Sequence, residues 1–369
     1  MNIEIKSIQV GELIKFIQSK EFLQAEFWPI SKKRAISHAM NPRADAEDTA
    51  LLLAYGSSHL IGYLGLVPDF YFIDEKPKKI FWISCMWVLP EYRREGVALK
   101  LLDAAYESCK GNIFITNYIL RSKAAFIKTG EYVEYEILKG IRAYMYFNLN
   151  YILVNKYPGL KYIRPVLFLT DKVLNIFFRV RLYFLLKQER ISNRYISFTY
   201  LNKETATFID ENRENALFRR GSQEFQWMID FPWIKNKKDE ETDTGKYHFS
   251  HYSKDFRQWF IKITDDYEKV KGFLMLTLQK GILKTPYIIA GKKLIPDIAT
   301  FIIKLMDEYK IPTVVSHHPL LVNQLKKKNR FFLTIRTSEK GFIATKQISD
   351  KLKDTCHLFY DGDGDNAFT

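Results

Sequence analysis

The chain has 369 residues, 47% hydrophobic and 27% charged, which excludes a disordered chain and leaves room for two ordinary domains with a large core. Its 56 Lys and Arg exceed its 42 Asp and Glu, and the net charge of +14 suits a polyanionic partner, whether nucleotide-based or an anionic membrane face. The three cysteines, Cys85, Cys109 and Cys356, are too few for a disulfide framework and have no metal-ligand spacing, so they read as small buried hydrophobes in a reducing compartment.

Met1 to Lys6 has no basic-then-apolar leader, and no window is apolar for the length of a membrane span, so the expected location is cytoplasmic. Residues 3–9 alternate as a strand, and Val10 to Phe22 reads as a helix with Leu13, Ile14 and Ile17 on one face. Phe27 to Asp48 reads as an irregular polar stretch, either lining a substrate cleft or forming a solvated connection. Leu51–Tyr55 and His59–Val67 read as a hairpin around Gly56-Ser57-Ser58, interrupted at Pro68-Asp69. Ile80 to Val88 is a further buried strand, and Leu99 to Tyr106 a helix with an apolar stripe. Between them lies Leu89-Pro90-Glu91-Tyr92-Arg93-Arg94-Glu95-Gly96-Val97-Ala98. A helix start leaves backbone N–H groups unpaired and its dipole favours negative charge. Small residues at Gly96 and Ala98, with Arg93 and Arg94 beside them, make a cradle for a pyrophosphate.

The spacing Arg93-x-x-Gly96-x-Ala98 behind Val88-x-Pro90 resembles the acyl-CoA-binding motif of the GNAT acyltransferase family. The order strand, helix, three strands, pyrophosphate helix is also the order of a GNAT domain. The resemblance implies that Arg93, Arg94, Glu95, Gly96, Val97 and Ala98 hold the pyrophosphate of acetyl-CoA or another acyl-CoA. It also implies that backbone groups of Met86 and Val88 pair with the pantetheine arm like an added strand. Asn112 to Asn117 is the next strand and Ser122 to Thr129 a short helix ended by Gly130. There Ala124-Ala125-Phe126-Ile127-Lys128-Thr129-Gly130 is similar to the family's second signature. Phe126 stands where the family often has a tyrosine that protonates the departing thiolate, so either another group is the acid or the thiolate leaves unassisted, its pKa being near 8.5. Residues 131–150 are expected to add two closing strands.

Residues 151–190 change in character. Eight basic residues (Lys156, Lys161, Arg164, Lys172, Arg179, Arg181, Lys187, Arg190) face only Asp171 and Glu189, interleaved with the apolar run Val173 to Leu186. This segment reads either as a helix packed between two domains with its arginines at the edge, or as an interfacial helix on an anionic membrane. The second half then repeats the first half's order. It has strands at 195–200, 248–252, 256–264, 272–279 and 286–290, helices at 203–212, 296–310 and 319–328, and strands at 313–316, 330–338 and 341–346. No Arg-x-x-Gly-x-Ala turn follows Gly272–Gln279. The expected architecture is therefore α/β (α+β): two GNAT-like mixed-sheet domains, residues 1–150 and 191–369, joined by 151–190, the second without the pyrophosphate cradle. The arrangement is similar to tandem acyltransferases, in which one half holds CoA and the other shapes the acceptor site.

Arg219 and Arg220 read as a grip for an acidic acceptor or as surface charges. Trp227, in a cluster with Phe225, Phe231 and Trp233, reads as a stacking platform or as core. His317 and His318 offer a general base but show no partner in sequence. In the tail, Asp361-x-Asp363-x-Asp365 lacks the glycine and distal glutamate of a calcium loop, so no metal is expected. In some tandem relatives the terminal carboxylate acts as base; by that resemblance Thr369, Asp365 and Asp363 are the catalytic candidates. The function implied is acyl-CoA-dependent N-acylation, with an amino-sugar, a nucleotide-sugar, a peptide or a lipid-linked amine as acceptor and no nucleic acid. The alternatives are an aminoacyl-tRNA-dependent transferase of the peptidoglycan-bridge type, whose donor would not need the turn, and a non-catalytic CoA-binding or scaffold protein.

Overall fold

Residues 2–73, 75–116, 118–213, 216–236, 245–249, 252–353 and 357–368 are described by the computed structural model of the chain. Thr369, Cys356, Asn117 and most of the charged loop at 235–246 fall outside the described residues.

The chain opens with β1 (Ile3–Gln9), α1 (Leu13–Gln18), α2 (Lys20–Gln24) and α3 (Lys32–Ala39). The single helix expected over Val10–Phe22 is broken at Ser19, which turns extended and caps α2 by accepting the Phe22 N–H at 3.2 Å. The stretch expected to be irregular holds α3, started by Ser31 accepting the Arg34 N–H at 3.2 Å. Next come β2 (Thr49–Gly56), β3 (His59–Ile73) and β4 (Lys76–Val88), then α4 (Val97–Ser108), β5 (Ile113–Ile115), α5 (Leu120–Lys128) and β6 (Tyr132–Tyr144). Pro68 does not interrupt β3. It lies in register with Phe81 of β4, and Asp69 is kept in the sheet because its buried carboxylate accepts from Trp82 Nε1 at 2.9 Å. The two strands expected over 131–150 are one long strand, β6, followed by α6 (Leu149–Lys156) and α7 (Arg164–Lys187). Then follow β7 (Arg194–Phe198), α8 (Lys203–Glu211), α9 (Ser222–Asp230), β8 (Arg257–Thr264), β9 (Val270–Gln279) and β10 (Ile282–Ala290). The chain continues with α10 (Ile295–Glu308), β11 (Thr313–Ser316), α11 (Pro319–Lys327), β12 (Thr334–Thr345) and α12 (Lys346–Leu352). The strand expected at 248–252 does not form among the residues described there, and the strands expected at 330–338 and 341–346 are the single β12.

By packing, the chain forms two units whose bounds differ from a division at 150 and 190. Unit 1 is Met1–Leu138, Thr199–Arg257 and Lys340–Thr369; unit 2 is Lys139–Phe198 and Gln258–Glu339. Residues 199–257 and the tail therefore pack with the first unit. The segment 151–190 is no linker: most of it is α6 and α7 of unit 2, where Leu182 is buried and Phe178, Leu185 and Leu186 pack on that unit's core.

In unit 1 the strand order is β1-β2-β3-β4-β5-β12, antiparallel except for the parallel β4–β5 pair. Alternation sends Leu52 and Ala54 of β2 to a core with Val97, Leu101 and Ala105 of α4, and Leu51 and Leu53 to a core with Leu13, Phe16 and Ala35 on the opposite face. Unit 2 has the order β6-β11-β10-β9-β8-β7, again with an antiparallel pair, β9–β10, followed by a parallel one, β10–β11. The two units thus repeat one topology. The turn before α10 differs from that before α4: Pro296 occupies the helix's first turn and lacks an N–H, and the Leu294 N–H is taken by Gly291 O at 2.9 Å.

Candidate active site

β4 ends at Val88, and a 3-10 turn over Pro90–Tyr92 leads to Arg94 and Gly96, both with positive φ (75° and 81°), ahead of α4. Gly96 is the N-cap and has no side chain to bond the helix start. The N–H groups of Gly96, Val97, Ala98 and Leu99 meet no acceptor among the described residues, and a Cβ built on Gly96 would meet nothing within 4 Å. The helix start is therefore open. Arg93, Arg94 and Glu95 are exposed around it, Ala98 is half-buried, and Val97 is buried in the core that fixes α4. Arg93 Nε donates to Val88 O at 3.1 Å, drawing the turn back onto the strand end.

β4 pairs with β5 only at Phe81↔Ile113, Trp82↔Phe114 and Ile83↔Ile115. Past Ile83 the two strands part. A β-bulge sits there, since Cys85 pairs with Gly65 and Ile83 with Leu66, leaving Ser84 extra. The bulge reverses the alternation: Phe81 and Ile83 face the α4 core, Cys85 faces the α3 core, and Met86 and Val88 face α4 again. Leu89 N–H bonds Ile61 O on the β3 side at 2.9 Å, so alternation turns the main-chain groups of Met86 and Val88 to the open edge. Of these, the Val88 carbonyl is already used by Arg93.

The tail closes the bottom of this opening. Gly362 to Phe368 is buried in unit 1. Gly364, with φ 76°, passes so close to β4 and β5 that a Cβ there would lie 2.8 Å from Thr116 Cγ2 and 3.0 Å from Trp82 Cε3. Arg220 Nη2 donates to Gly364 O at 2.8 Å and to Asp69 Oδ2 at 2.8 Å, and its Nη1 donates to Gly362 O at 3.2 Å. Phe368 stacks on Trp233 (4.3 Å between centroids) and meets Trp227 edge-on. Asp365 accepts from Ser84 Oγ, on the bulge, at 3.2 Å and from Arg34 Nη2 at 3.4 Å. Burial raises its pKa against the pull of Arg34 and Ser84. Asp363 is deeper: it accepts the Tyr360 N–H at 2.7 Å, and burial pushes its pKa up to about 6 despite Arg220.

The structure places the remaining candidates Arg219, Arg220, Trp227 and Phe126 as follows. Arg220 is buried and bonded as above, and Arg219 binds Glu75 at 2.5 Å and lies over Phe72. Trp227 is buried and donates its Nε1 to Ser37 O at 2.7 Å. These side chains are occupied by the chain's own groups, because the 218–233 segment docks on α3 and on the tail. Phe126 is a core side chain, 6.0 Å from the Tyr132 ring, and offers no proton. In unit 2, His318 Nδ1 caps α11 by accepting the Leu321 N–H, and His317 Nε2 lies 3.3 Å from Ser338 Oγ, both structural placements.

The residues that sequence reasoning missed lie on the face of β3 and β4 opposite α4. Arg34 donates to Tyr247 OH at 2.7 Å and packs 3.9 Å over Trp233. His38 is buried with neither ring nitrogen partnered among the described residues; burial and the Arg34 charge hold its pKa well below the ordinary value. The Tyr63 hydroxyl, Trp28 Nε1 and Arg34 Nε are likewise buried without partners. Nearer the open strand, His248 stacks on Trp87 of β4 at 3.7 Å, beside Phe27 at 5.6 Å. It is exposed, and partial desolvation and then Arg93 lower its pKa, which favours the neutral imidazole. The signal that could have found α3 was Ser31 ahead of a Lys-Lys-Arg start; its polarity hid it. Among the described residues no His, Cys, Asp and Glu groups converge as a metal site.

An α/β unit with a β4 bulge, a parted parallel strand and an uncapped helix start has the GNAT acetyltransferase fold. Residues 14–123 match the model of the acetyltransferase (GNAT) family. No curated protein matches the sequence. Among solved structures, a conserved protein of unknown function from Enterococcus faecalis V583, described as a probable N-acyltransferase, is similar over 93% of this chain and 72% of its own, at 9% identity and a TM-score of 0.50. A GCN5-related N-acetyltransferase from Anabaena variabilis ATCC 29413 covers 93% of this chain and 72% of its own, at 11% identity and TM-score 0.48. Saccharomyces cerevisiae N-myristoyltransferase covers 93% and 82%, at 10% identity and TM-score 0.48.

Proposed function

We propose that the protein is an N-acyltransferase that takes its acyl group from acyl-CoA. The observation that carries the reading is the set of unpaired amides at Gly96–Leu99 next to the open edge of β4. The main-chain N–H groups of Gly96, Val97, Ala98 and Leu99 bind the pyrophosphate, with Arg93 and Arg94 adding charge. The open N–H and C=O of Met86 and the N–H of Val88 hold the pantetheine arm as an added strand. The acceptor amine enters on the face of Trp87, Phe27 and His248. Its nitrogen forms a bond to the acyl carbon as the C–S bond breaks. The ammonium proton passes to His248, which, among the described residues of this face, is both exposed and biased to its neutral form. Asp365, tied to Ser84 and Arg34, fixes the bulge that aims the strand edge. The electron pair of the broken bond leaves on sulfur, whose ordinary pKa near 8.5 makes departure without a protonating tyrosine feasible. An amino-sugar or nucleotide-sugar acceptor fits the aromatic face. The aminoacyl-tRNA alternative is less well supported, since such a donor has no use for an intact pyrophosphate turn.

Ala98→Glu tests the donor site. A carboxylate in the first turn favours the helix, yet it repels a pyrophosphate. Calorimetry with acetyl-CoA should show one saturable site in the parent and about a tenfold or greater loss in the variant, with an unchanged melting temperature. Equal affinity in both would refute the assignment. In the transfer assay, kcat/KM should fall as pH drops through a pKa below 6.5, and His248→Ala should remove that limb along with most turnover; a surviving limb would exclude His248.

A further inference from the structure

α7 carries two apolar stripes rather than one. Phe178, Leu182 and Leu185 recur at three- and four-residue spacing and pack on the unit 2 core, and Leu167 and Leu174, seven residues apart, fall on the same side of the helix. On the opposite side Val166, Leu169, Val173, Phe177, Val180 and Phe184 recur at the same spacing and are exposed, Phe177 by 72%, Leu169 by 63% and Phe184 by 62%. At 100° per residue they fall within roughly a third of the helix circumference. Lys172 and Arg179 lie on one shoulder of this stripe and Arg181 on the other. The two acidic residues of 151–190 are turned away from it. Asp171 is buried and accepts the Leu149 and Asn150 N–H groups at 2.8 and 3.0 Å, while Glu189 is bound by Lys328 and Arg330. The outward surface is thus apolar along its crest, and the charged residues beside the crest, Lys172, Arg179 and Arg181, are all basic, with Phe168, Ile176 and Tyr183 exposed among them.

We infer that α7 seats the protein on an anionic membrane surface, lying flat in the headgroup region. Charge decides the occupant. A second copy of this chain would bring the same unneutralised Lys and Arg against themselves, whereas anionic headgroups neutralise them while the acyl boundary takes up the phenylalanines. Among the described residues no helix is long and apolar enough to cross a membrane, so the contact is peripheral. The inference is independent of the transferase reading, because no residue of unit 1 enters it.

Flotation of the full chain with phosphatidylcholine vesicles, with and without phosphatidylglycerol, tests it. Binding is expected to anionic vesicles at low salt. It should be weakened about tenfold or more at about 1 M salt, where the Debye length is about 3 Å, and be weak to neutral vesicles. Phe177→Asp with Phe184→Asp should abolish binding with an unchanged melting temperature, and Lys172→Glu, Arg179→Glu, Arg181→Glu should do the same through charge alone. No binding to anionic vesicles at low salt, or equal binding of the double variant, overturns the proposal. So does a lipid-free dimer in sedimentation velocity that the double variant disperses, since the face would then belong to a second copy.

Discussion

Asp363 and Asp365 are two residues apart, yet their surroundings give them different work. Asp363 is fully enclosed, and its pKa, lifted to about 6, means that the folded state holds its proton more tightly than the unfolded chain does. The linkage sign follows: its contribution to stability is intact below about pH 4 and is lost as pH rises toward 6. Asp363→Asn should therefore raise stability by about 1–3 kcal/mol at pH 7–8 and change it little near pH 4, read from urea unfolding at the two pH values. Acyl transfer should persist in that variant; its loss without unfolding would make Asp363 the base and displace His248. Asp69 has the opposite sign. Burial raises its pKa, but Arg220 and Arg43 together outweigh burial, so the stability it contributes is present above the ordinary carboxylate range and is lost in acid. At this scale the turn from β4 into an open α4 start was legible, because Pro90, Arg93, Gly96 and Ala98 mark it by their spacing. The placements of Arg34, His38 and His248 were not, since each depends on a neighbour distant in the chain, as with Arg34 and Tyr247.

At the scale of the element, the tail is a part of the sheet face rather than a loose end. Among its described residues it has no regular hydrogen bonding of its own beyond short turns, so side chains hold it, with Arg220 as the principal clasp. Arg220→Ala would leave Asp69 with one arginine instead of two and the Gly362 and Gly364 carbonyls without that donor. We expect a loss of about 2–4 kcal/mol in urea unfolding. A change below about 1 kcal/mol would show that the aromatic contacts of Phe368 alone hold the tail. Element types with strong periodicity were readable, among them β11 at Thr313–Ser316 and α8 at Lys203–Glu211. Pro68 misled, because proline normally ends a central strand, and here the partner register and the Asp69 network carry β3 through it. The run at 173–186 was read as a helix packed between domains or lying on a membrane, and its burial separates the two stripes that the sequence alone superimposes.

For the whole molecule, the repeated topology was legible as an order of elements, while the route of the chain was not. It passes between the two units four times, so that 199–257 and 340–369 complete the unit begun by residues 1–138. Such long-range packing leaves no local mark on composition or periodicity. The net charge of +14 is likewise a property of the whole chain. It accords with the two polyanionic contacts proposed above, a nucleotide on unit 1 and a membrane surface on α7 of unit 2. Nucleotide binding at the start of α4 can be tested at residue level. Hydrogen exchange of the full chain should be followed with and without acetyl-CoA. Protection of the amides at 84–88 and 96–99 is expected, with α7 and the unit 2 turn before α10 unchanged. Unaltered exchange at 96–99 under saturating acetyl-CoA would rule out the proposed donor site.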